Sequence, residues 1–253
     1  MNIKIVVDNI TYTGLIGEHG LSIILEDDKY KILFDTGKSA EVLENNLKML
    51  GENKKFDYIV LSHGHYDHCN GLKYIIREKL YNKIFVGEGS LIDRFYNGKY
   101  IGIANEIKEF LKKEAIFIDN HIKIDNDFYI FKINEREFCY EPENFVDKDG
   151  NIDLVLDEIA LYYRGVLLTG CSHSGIINVI ETAKQFGDIK FVVGGFHLIN
   201  SSDNYLDLVY NYLKHQDFNF MPLHCTGFYA ISKLSNLKNF VLGYSGKILK
   251  LEG

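Results

Sequence analysis

The chain has 253 residues, 46% hydrophobic and 25% charged, enough to bury a sizeable core and too apolar for wholesale disorder. Its 28 basic against 35 acidic side chains leave a net charge of −7, the wrong sign for a non-specific grip on phosphate backbones, so nucleic acid is not an expected partner. The cysteines Cys69, Cys139, Cys171 and Cys225 are scattered and form no Cys-x-x-Cys pair, which excludes a disulfide framework and favours a reducing compartment. In chain order, strands at 4–7, 21–26 and 30–35 open a β-meander, and a helix at 39–50 follows with Val42, Leu43, Leu47 and Leu50 on one stripe. The run Tyr58-Ile-Val-Leu61 reads as a buried strand, 71–79 as a helix, 83–86 as a strand and 103–113 as an amphipathic helix. Residues 90–100 show no period that assigns them.

Period-two alternation marks strands at 121–124 and 128–133, and the polar stretch 134–153 reads as a long surface loop of the kind that often covers a site. Alternation then restarts, with strands at 158–163 and 166–169, a helix at 175–186, a strand at 190–193, a helix at 204–215, a strand at 218–223, a helix at 229–237 and closing strands. With only Pro142 and Pro222 and no Gly/Ser-rich linker, residues 1–253 read as a single domain. The first residues carry no basic flank or cleavage-site pattern, and no segment approaches the ~20 apolar residues of a membrane span. The expectation is a cytoplasmic protein with no membrane partner.

The two halves echo each other. Leu33-Phe-Asp-Thr-Gly37, a helix, then Tyr58-Ile-Val-Leu-Ser-His-Gly-His65 resembles Leu168-Thr-Gly-Cys-Ser-His173, a helix, then Phe191-Val-Val-Gly-Gly-Phe-His197. This repeat predicts that His63, His173 and His197 sit past the carboxyl ends of strands on one rim.

The sharpest feature is Ser62-His63-Gly64-His65-Tyr66-Asp67-His68, which puts four potential ligands on one tight loop directly after a buried strand. Imidazole and carboxylate together suit zinc, iron or manganese. The competing reading is a polar helix-capping loop with Asp67 or Asn70 as the cap. One loop cannot complete two metal shells, and His173 and His224, each past a strand in a glycine-flanked loop, are the distant candidates; a hydrogen-bonded structural role is their alternative.

The motif His63-x-His65-x-Asp67-His68, preceded by Asp35-Thr-Gly37 and followed by His173 and His224, resembles the metallo-β-lactamase fold of metallo-hydrolases over nearly the whole chain. The resemblance implies an α/β fold, a four-layer αββα sandwich with the metals at one edge. It implies one or two zinc ions, with iron or manganese as alternatives: one held by His63, His65 and His173, the other by Asp67, His68 and His224, with Asp35 behind them orienting the ligand loop. Longer signatures, Glu18-His-Gly-Leu-Ser22, Thr169-Gly-Cys-Ser-His-Ser-Gly175, Gly194-Gly-Phe-His-Leu198 and His224-Cys-Thr-Gly227, are similar to the dihydropterin-aminobenzene-ribofuranosyl phosphate synthase subgroup. Many binuclear members carry a bridging Asp on the strand between the two late histidines, whereas here that strand ends in Gly194-Gly-Phe-His197. A second ion would then bind weakly or be ligated differently.

His197 is expected to contact substrate or act as general acid, with a metal ligand or a structural histidine as its alternatives, and Asp67 to orient the nucleophile or shuttle its proton. Glu18 and His19, in a glycine-flanked turn, are substrate candidates with a surface turn as the alternative. Cys69, Cys171 and Cys225 read as buried thiols, Cys225 facing the core if His224 faces the metal, and Cys171 as the exception that its glycine-rich loop can turn inward. His121 and His215 read as solvated residues.

A metal-bound water has its pKa lowered to about 7 and supplies hydroxide at neutral pH. The leading expectation is therefore a metallo-hydrolase acting on a small anionic molecule of phosphorylated, nucleotide-like or pterin-like type, its phosphate resting on the resemblance. Three alternatives differ in class: a synthase joining a dihydropterin to an aminobenzene ribosyl phosphate, an iron redox enzyme on the same fold, and a metal-bearing sensor without turnover.

Overall fold

The protein is described by a computed structural model over residues 1–12, 14–134, 136–138 and 140–251; Cys139, counted above among the scattered cysteines, lies outside the described residues. The chain begins with β1 (Asn2–Val7), β2 (Ser22–Glu26) and β3 (Lys31–Phe34), an antiparallel meander, and continues through α1 (Ala40–Met49) to β4 (Phe56–Leu61), which pairs parallel with β3. After β4 come α2 (Tyr66–Cys69), α3 (Leu72–Glu78) and β5 (Tyr81–Gly87), then the hairpin β6 (Arg94–Tyr96) and β7 (Lys99–Tyr100), then α4 (Asn105–Glu114) and β8 (Ala115–Ile118). The second half contains β9 (His121–Asp125), β10 (Phe128–Lys132), β11 (Val146–Asp147), β12 (Ile159–Tyr163), β13 (Val166–Thr169), α5 (Ile176–Ala183), β14 (Phe191–Gly195), α6 (Asp203–Lys214), β15 (Asn219–Leu223), α7 (Phe228–Leu234) and β16 (Ile248–Lys250).

Two large sheets result, ordered β16-β1-β2-β3-β4-β5-β8 and β15-β14-β13-β12-β10-β9, with β11-β6-β7 forming a small third. The unit β3-α1-β4 recurs as β13-α5-β14, each a parallel pair joined by a helix (Leu33 opposite Ile59, Leu168 opposite Val193). That is the structural form of the sequence echo.

Strand alternation sorts the apolar side chains into three layers. Ile3, Ile5, Ile23, Leu25 and Phe34 of the first sheet meet Phe128, Ile130, Leu161, Leu168 and Val193 of the second in a core between the sheets. The opposite face of the first sheet, through Val6, Ile24, Leu33 and Ile59, packs on Leu43 and Leu47 of α1, Ile75 of α3 and Leu111 of α4. The opposite face of the second, through Ala160, Tyr162, Leu167 and Val192, packs on α5, α6 and α7. Helix, sheet, sheet, helix is the expected αββα sandwich. Strands that take part in two of these cores are apolar on both faces, which is why Ile59-Val60-Leu61 reads as an unbroken run.

The differences from expectation are local. The α1 stripe contains Ala40, Leu43 and Leu47 with buried Asn46, while Val42 and Leu50 lie half-buried at its margin. Asn46 earns its place by donating to the carbonyls of Val6 and Ile16, 2.8 Å each, tying the loop after β1 to the helix. Residues 90–100 contain the β6–β7 hairpin, and β8 follows α4 without a break. Part of the supposed ligand loop is helical (α2), and the 134–153 segment carries the two-residue strand β11. No helix among the described residues is long and apolar enough to cross a membrane.

Candidate metal centre

The site gathers at the carboxyl ends of β4, β13, β14 and β15, where parallel strands point successive loops at one edge of the sandwich. β4 delivers His63 and His65, and α2 delivers Asp67 and His68. β13 leads to Cys171 and His173, β14 to His197, and β15 to a 3-10 turn, His224–Thr226. Four of the eight non-glycine residues with positive φ among the described residues lie here: Asp35, Ser172, His197 and His224, at φ 48–58°. Such conformations cost energy and persist where surrounding structure imposes them.

His63 Nε2 lies 2.9 Å from His65 Nδ1 and 3.2 Å from His173 Nε2. One ring nitrogen has at most one proton to give, so it cannot satisfy both neighbours. Burial, reinforced by neighbouring cationic side chains, holds all three imidazoles well below the ordinary histidine range, leaving neutral rings with lone pairs converging on one point. That is a metal-ready set.

The second set is built around Asp67, whose Oδ2 lies 3.2 Å from His224 Nε2, 3.2 Å from His19 Nε2 and 3.9 Å from His68 Nε2. Burial pushes the Asp67 carboxyl up, but His68, His19 and His224 outweigh it and hold the group well below the usual carboxylate range. Asn9 fixes the neighbouring tautomer. Its Nδ2 donates to the His224 carbonyl, so its Oδ1, 2.9 Å away, takes the proton of His224 Nδ1. His224 Nε2 is then a buried nitrogen without a hydrogen-bond partner, facing a carboxylate. A cation between them resolves the contact, so the donors present fit a divalent metal on both sides of the site.

Buried carboxylates hold the loops that carry the converging donors. Asp35 accepts from Ser62 N (2.7 Å), Ser62 Oγ (2.8 Å) and His68 Nδ1 (2.7 Å). Against the cost of burial, Asp35 and Asp67 push His68 up to about 9. Asp157, itself paired with wholly buried Arg94, accepts from Gly64 N at 2.8 Å. Glu158 accepts from His173 N (2.6 Å), Ser174 N and Ser174 Oγ. Asp8 accepts from His224 N at 2.7 Å. Of these only Asp35 was visible in the sequence, through its motif. Asp8, Asn9, Asp157 and Glu158 carry no local pattern and act only once distant loops meet.

His197 lies beside His173, ring centroids 4.3 Å apart, with its Nε2 3.3 Å from Glu143 Oε1. Burial opposes its charge, but Cys225 and Glu143 outweigh burial and push it up to about 10. Glu143 belongs to the 134–153 segment, and with Phe145 of the same segment it lines the site. Tyr66, Tyr96, Ile101, Phe145 and Ile199 complete the wall of a cavity of about 250 Å³. A larger cavity of about 760 Å³ opens at the opposite end of the strands, beside Asp27, Arg164 and Lys190; among the described residues it gathers no comparable ligand set.

Two expectations are corrected. Glu18 does not face the cavity: its carboxylate accepts from Lys38 N, Ser39 N and Ser39 Oγ at the start of α1, whereas its neighbour His19 reaches Asp67. Cys225 does not face away from the site, because residues 224–226 form a 3-10 turn and strand alternation does not apply to them. Its thiol lies beside Cys171 and His224. Cys171 is turned inward, its Sγ 3.1 Å from His68 Nε2. Cys69 is buried and donates to the His63 carbonyl, a packing role. His121 and His215 are exposed.

The family model described as Metallo-beta-lactamase superfamily matches residues 15–89. A Methanocaldococcus jannaschii protein, 7,8-dihydropterin-6-methyl-4-(beta-D-ribofuranosyl)-aminobenzene-5'-phosphate synthase, is 30% identical, with 98% of this chain and 97% of that protein covered. The chain belongs to the metallo-β-lactamase superfamily. Members of this superfamily bind metal ions, in keeping with the converging donors. An uncharacterized protein of the same organism is 49% identical over 98% of this chain and 99% of its own length. Among solved structures, Tm1679, a metal-dependent hydrolase of the beta-lactamase superfamily, superposes with a TM-score of 0.85 at 28% identity over 100% of both chains. A diphosphatase of the PhnP family shares the fold, TM-score 0.57 at 12% identity, over 99% of this chain and 98% of its own.

Proposed function

We propose that this metallo-β-lactamase superfamily member is a metal-dependent hydrolase acting on a small phosphorylated, nucleotide-like or pterin-like molecule. One observation carries the reading: His63, His65 and His173 converge as one donor set and His19, Asp67 and His224 as another beneath a cavity, with the carboxylate of Asp67 facing His224 Nε2 at 3.2 Å and His68 Nε2 at 3.9 Å; Asp67, His68 and His224 are taken as the second metal set. We assign zinc to these sets, in one or two ions, with iron or manganese as substitutes the nitrogen and oxygen donors also accept. A divalent ion held by these residues would supply activated water at neutral pH and polarisation of a phosphoryl or carbonyl oxygen.

The protein's own groups do the rest. Asp67 orients the attacking water and takes its proton through a carboxylate oxygen. His197, steadied by Glu143, donates to an anionic oxygen of the substrate or leaving group. Tyr66, Tyr96 and Phe145 line the cavity and supply the aromatic surface against which a base or pterin packs. The test is a panel of phosphomonoesters, phosphodiesters, nucleotides and lactones given to zinc-loaded protein. Turnover is expected for one class, with Asp67→Ala lowering kcat at least about 100-fold; no turnover on any class, with metal bound, overturns the reading.

The 30% identical relative supports a second reading, a C–N bond-forming synthase, since that protein is named as one and the match spans 98% of this chain. Incubation with a dihydropterin and an aminobenzene ribosyl phosphate separates the two by product.

A further inference from the structure

The centre is short of negative charge. Asp35, Asp157, Glu158 and Asp8 spend their oxygens on backbone, serine or histidine donors, and Glu143 faces only His197, so among the described residues Asp67 alone presents a carboxylate to His68 and His224. Cys171 occupies the space that remains. Its Sγ forms ligand-sized groups with His63 and His68, with His173 and His197, and with His224 and Cys225, all ligand atoms within 4.8 Å of one another in each. It therefore reaches imidazoles of both sets, and no other side chain among the described residues joins as many groups. The 3.1 Å contact with His68 Nε2 compares with about 3.5 Å for sulfur and nitrogen sharing one tetrahedral ion.

Two independent features point into the same space. His224 Nε2, on a side chain only 1% exposed, has no neighbour among the described residues within hydrogen-bonding reach but the Asp67 carboxylate it faces at 3.2 Å. The end of β14 cannot supply a competing side chain: a Cβ at Gly195 would lie 2.5 Å from Cys225 Sγ and 2.6 Å from the Gly170 carbonyl. Ser172, at φ 58°, turns the chain so that Cys171 and His173 both face inward.

We propose that Cys171 is a ligand of the metal held by Asp67, His68 and His224, binding as a thiolate and adding a sulfur donor to the carboxylate of Asp67. The assignment rests on the reading that the centre holds divalent metal. Its thiol proton passes to solvent on loading. A soft sulfur donor biases the site toward zinc or cobalt and away from magnesium and manganese.

The test uses the full chain loaded with cobalt(II) or zinc. Cobalt-loaded protein is expected to show a near-ultraviolet thiolate-to-metal charge-transfer band that disappears in Cys171→Ala and persists in Cys225→Ala and Cys69→Ala. Zinc-loaded wild-type protein is expected to show sulfur at about 2.3 Å by X-ray absorption, a measurement that stands even where Cys171→Ala fails to fold. A shell of nitrogen and oxygen only, or a band lost in Cys225→Ala but not in Cys171→Ala, overturns the assignment while leaving the hydrolase reading intact. Failure to bind any divalent ion overturns both.

Discussion

Asp35 serves three donors with two oxygens, and through them reaches both ligand sets: Ser62 backs onto His63 Nδ1 at 2.9 Å, and His68 belongs to the second. A carboxylate behind an imidazole fixes its tautomer and raises its basicity. Asp35→Asn keeps the shape, loses the charge and leaves one oxygen position offering N–H groups where donors already point. The expected result is a 10–100-fold loss of metal affinity, measured by competition with a chelator of known affinity; unchanged affinity shows that Asp35 is only a folding residue. His224 has a neutral counterpart, Asn9, whose amide makes the same selection of tautomer. Nothing near Asn9 in sequence announces this, because the two residues meet only when the loop after β1 crosses the end of β15.

Elements show the same division between what is local and what is assembled. The helices and long strands are readable because α1, α4, α5 and α6 carry 3.6-residue stripes and β4, β13 and β14 carry apolar runs. The β6–β7 hairpin is not, since it has two and three residues per strand and its one wholly buried side chain is Arg94, neutralised by Asp153 and Asp157 from about sixty residues away. The donors of the 62–68 motif were legible as a cluster because four of them lie within six residues of one another; the Cys225 orientation was not, because a 3-10 turn replaces the strand geometry. Glu52, just past α1, shows charge acting between elements. It is buried and bonds Lys4 of β1 and Lys31 of β3. Burial raises its carboxyl, the two lysines outweigh burial, and the group lies below the usual range. A depressed carboxylate adds stability that is present above its unfolded pKa, about 4.3, and lost as pH falls through the folded value. Glu52→Gln is expected to cost about 1–3 kcal/mol at pH 7, read by urea unfolding, with the gap from wild type narrowing below about pH 4; a pH-independent gap shows that lost packing, not charge, is responsible.

At the scale of the whole molecule, the centre joins the two sheets. His63, His65, Asp67 and His68 follow strand β4 of the first, and Cys171, His173 and His224 follow strands of the second. Metal bound to both sets therefore binds the folded state and has no equivalent site in the unfolded chain, so it stabilises by mass action. At free metal one hundred times the dissociation constant this amounts to about 2.7 kcal/mol, which for a chain of this size raises Tm by roughly 5–10 °C. Thermal unfolding with zinc, then with excess chelator, measures it. Because each set draws ligands from both sides, His63→Ala and His173→Ala are each expected to reduce the zinc-dependent shift, although their Cα atoms belong to different sheets' loops. The chelated variants serve as their own baselines, so any loss of intrinsic stability cancels. A shift that survives in His173→Ala but not in His63→Ala places the ion on the 62–68 loop alone, and the centre would then not couple the sheets.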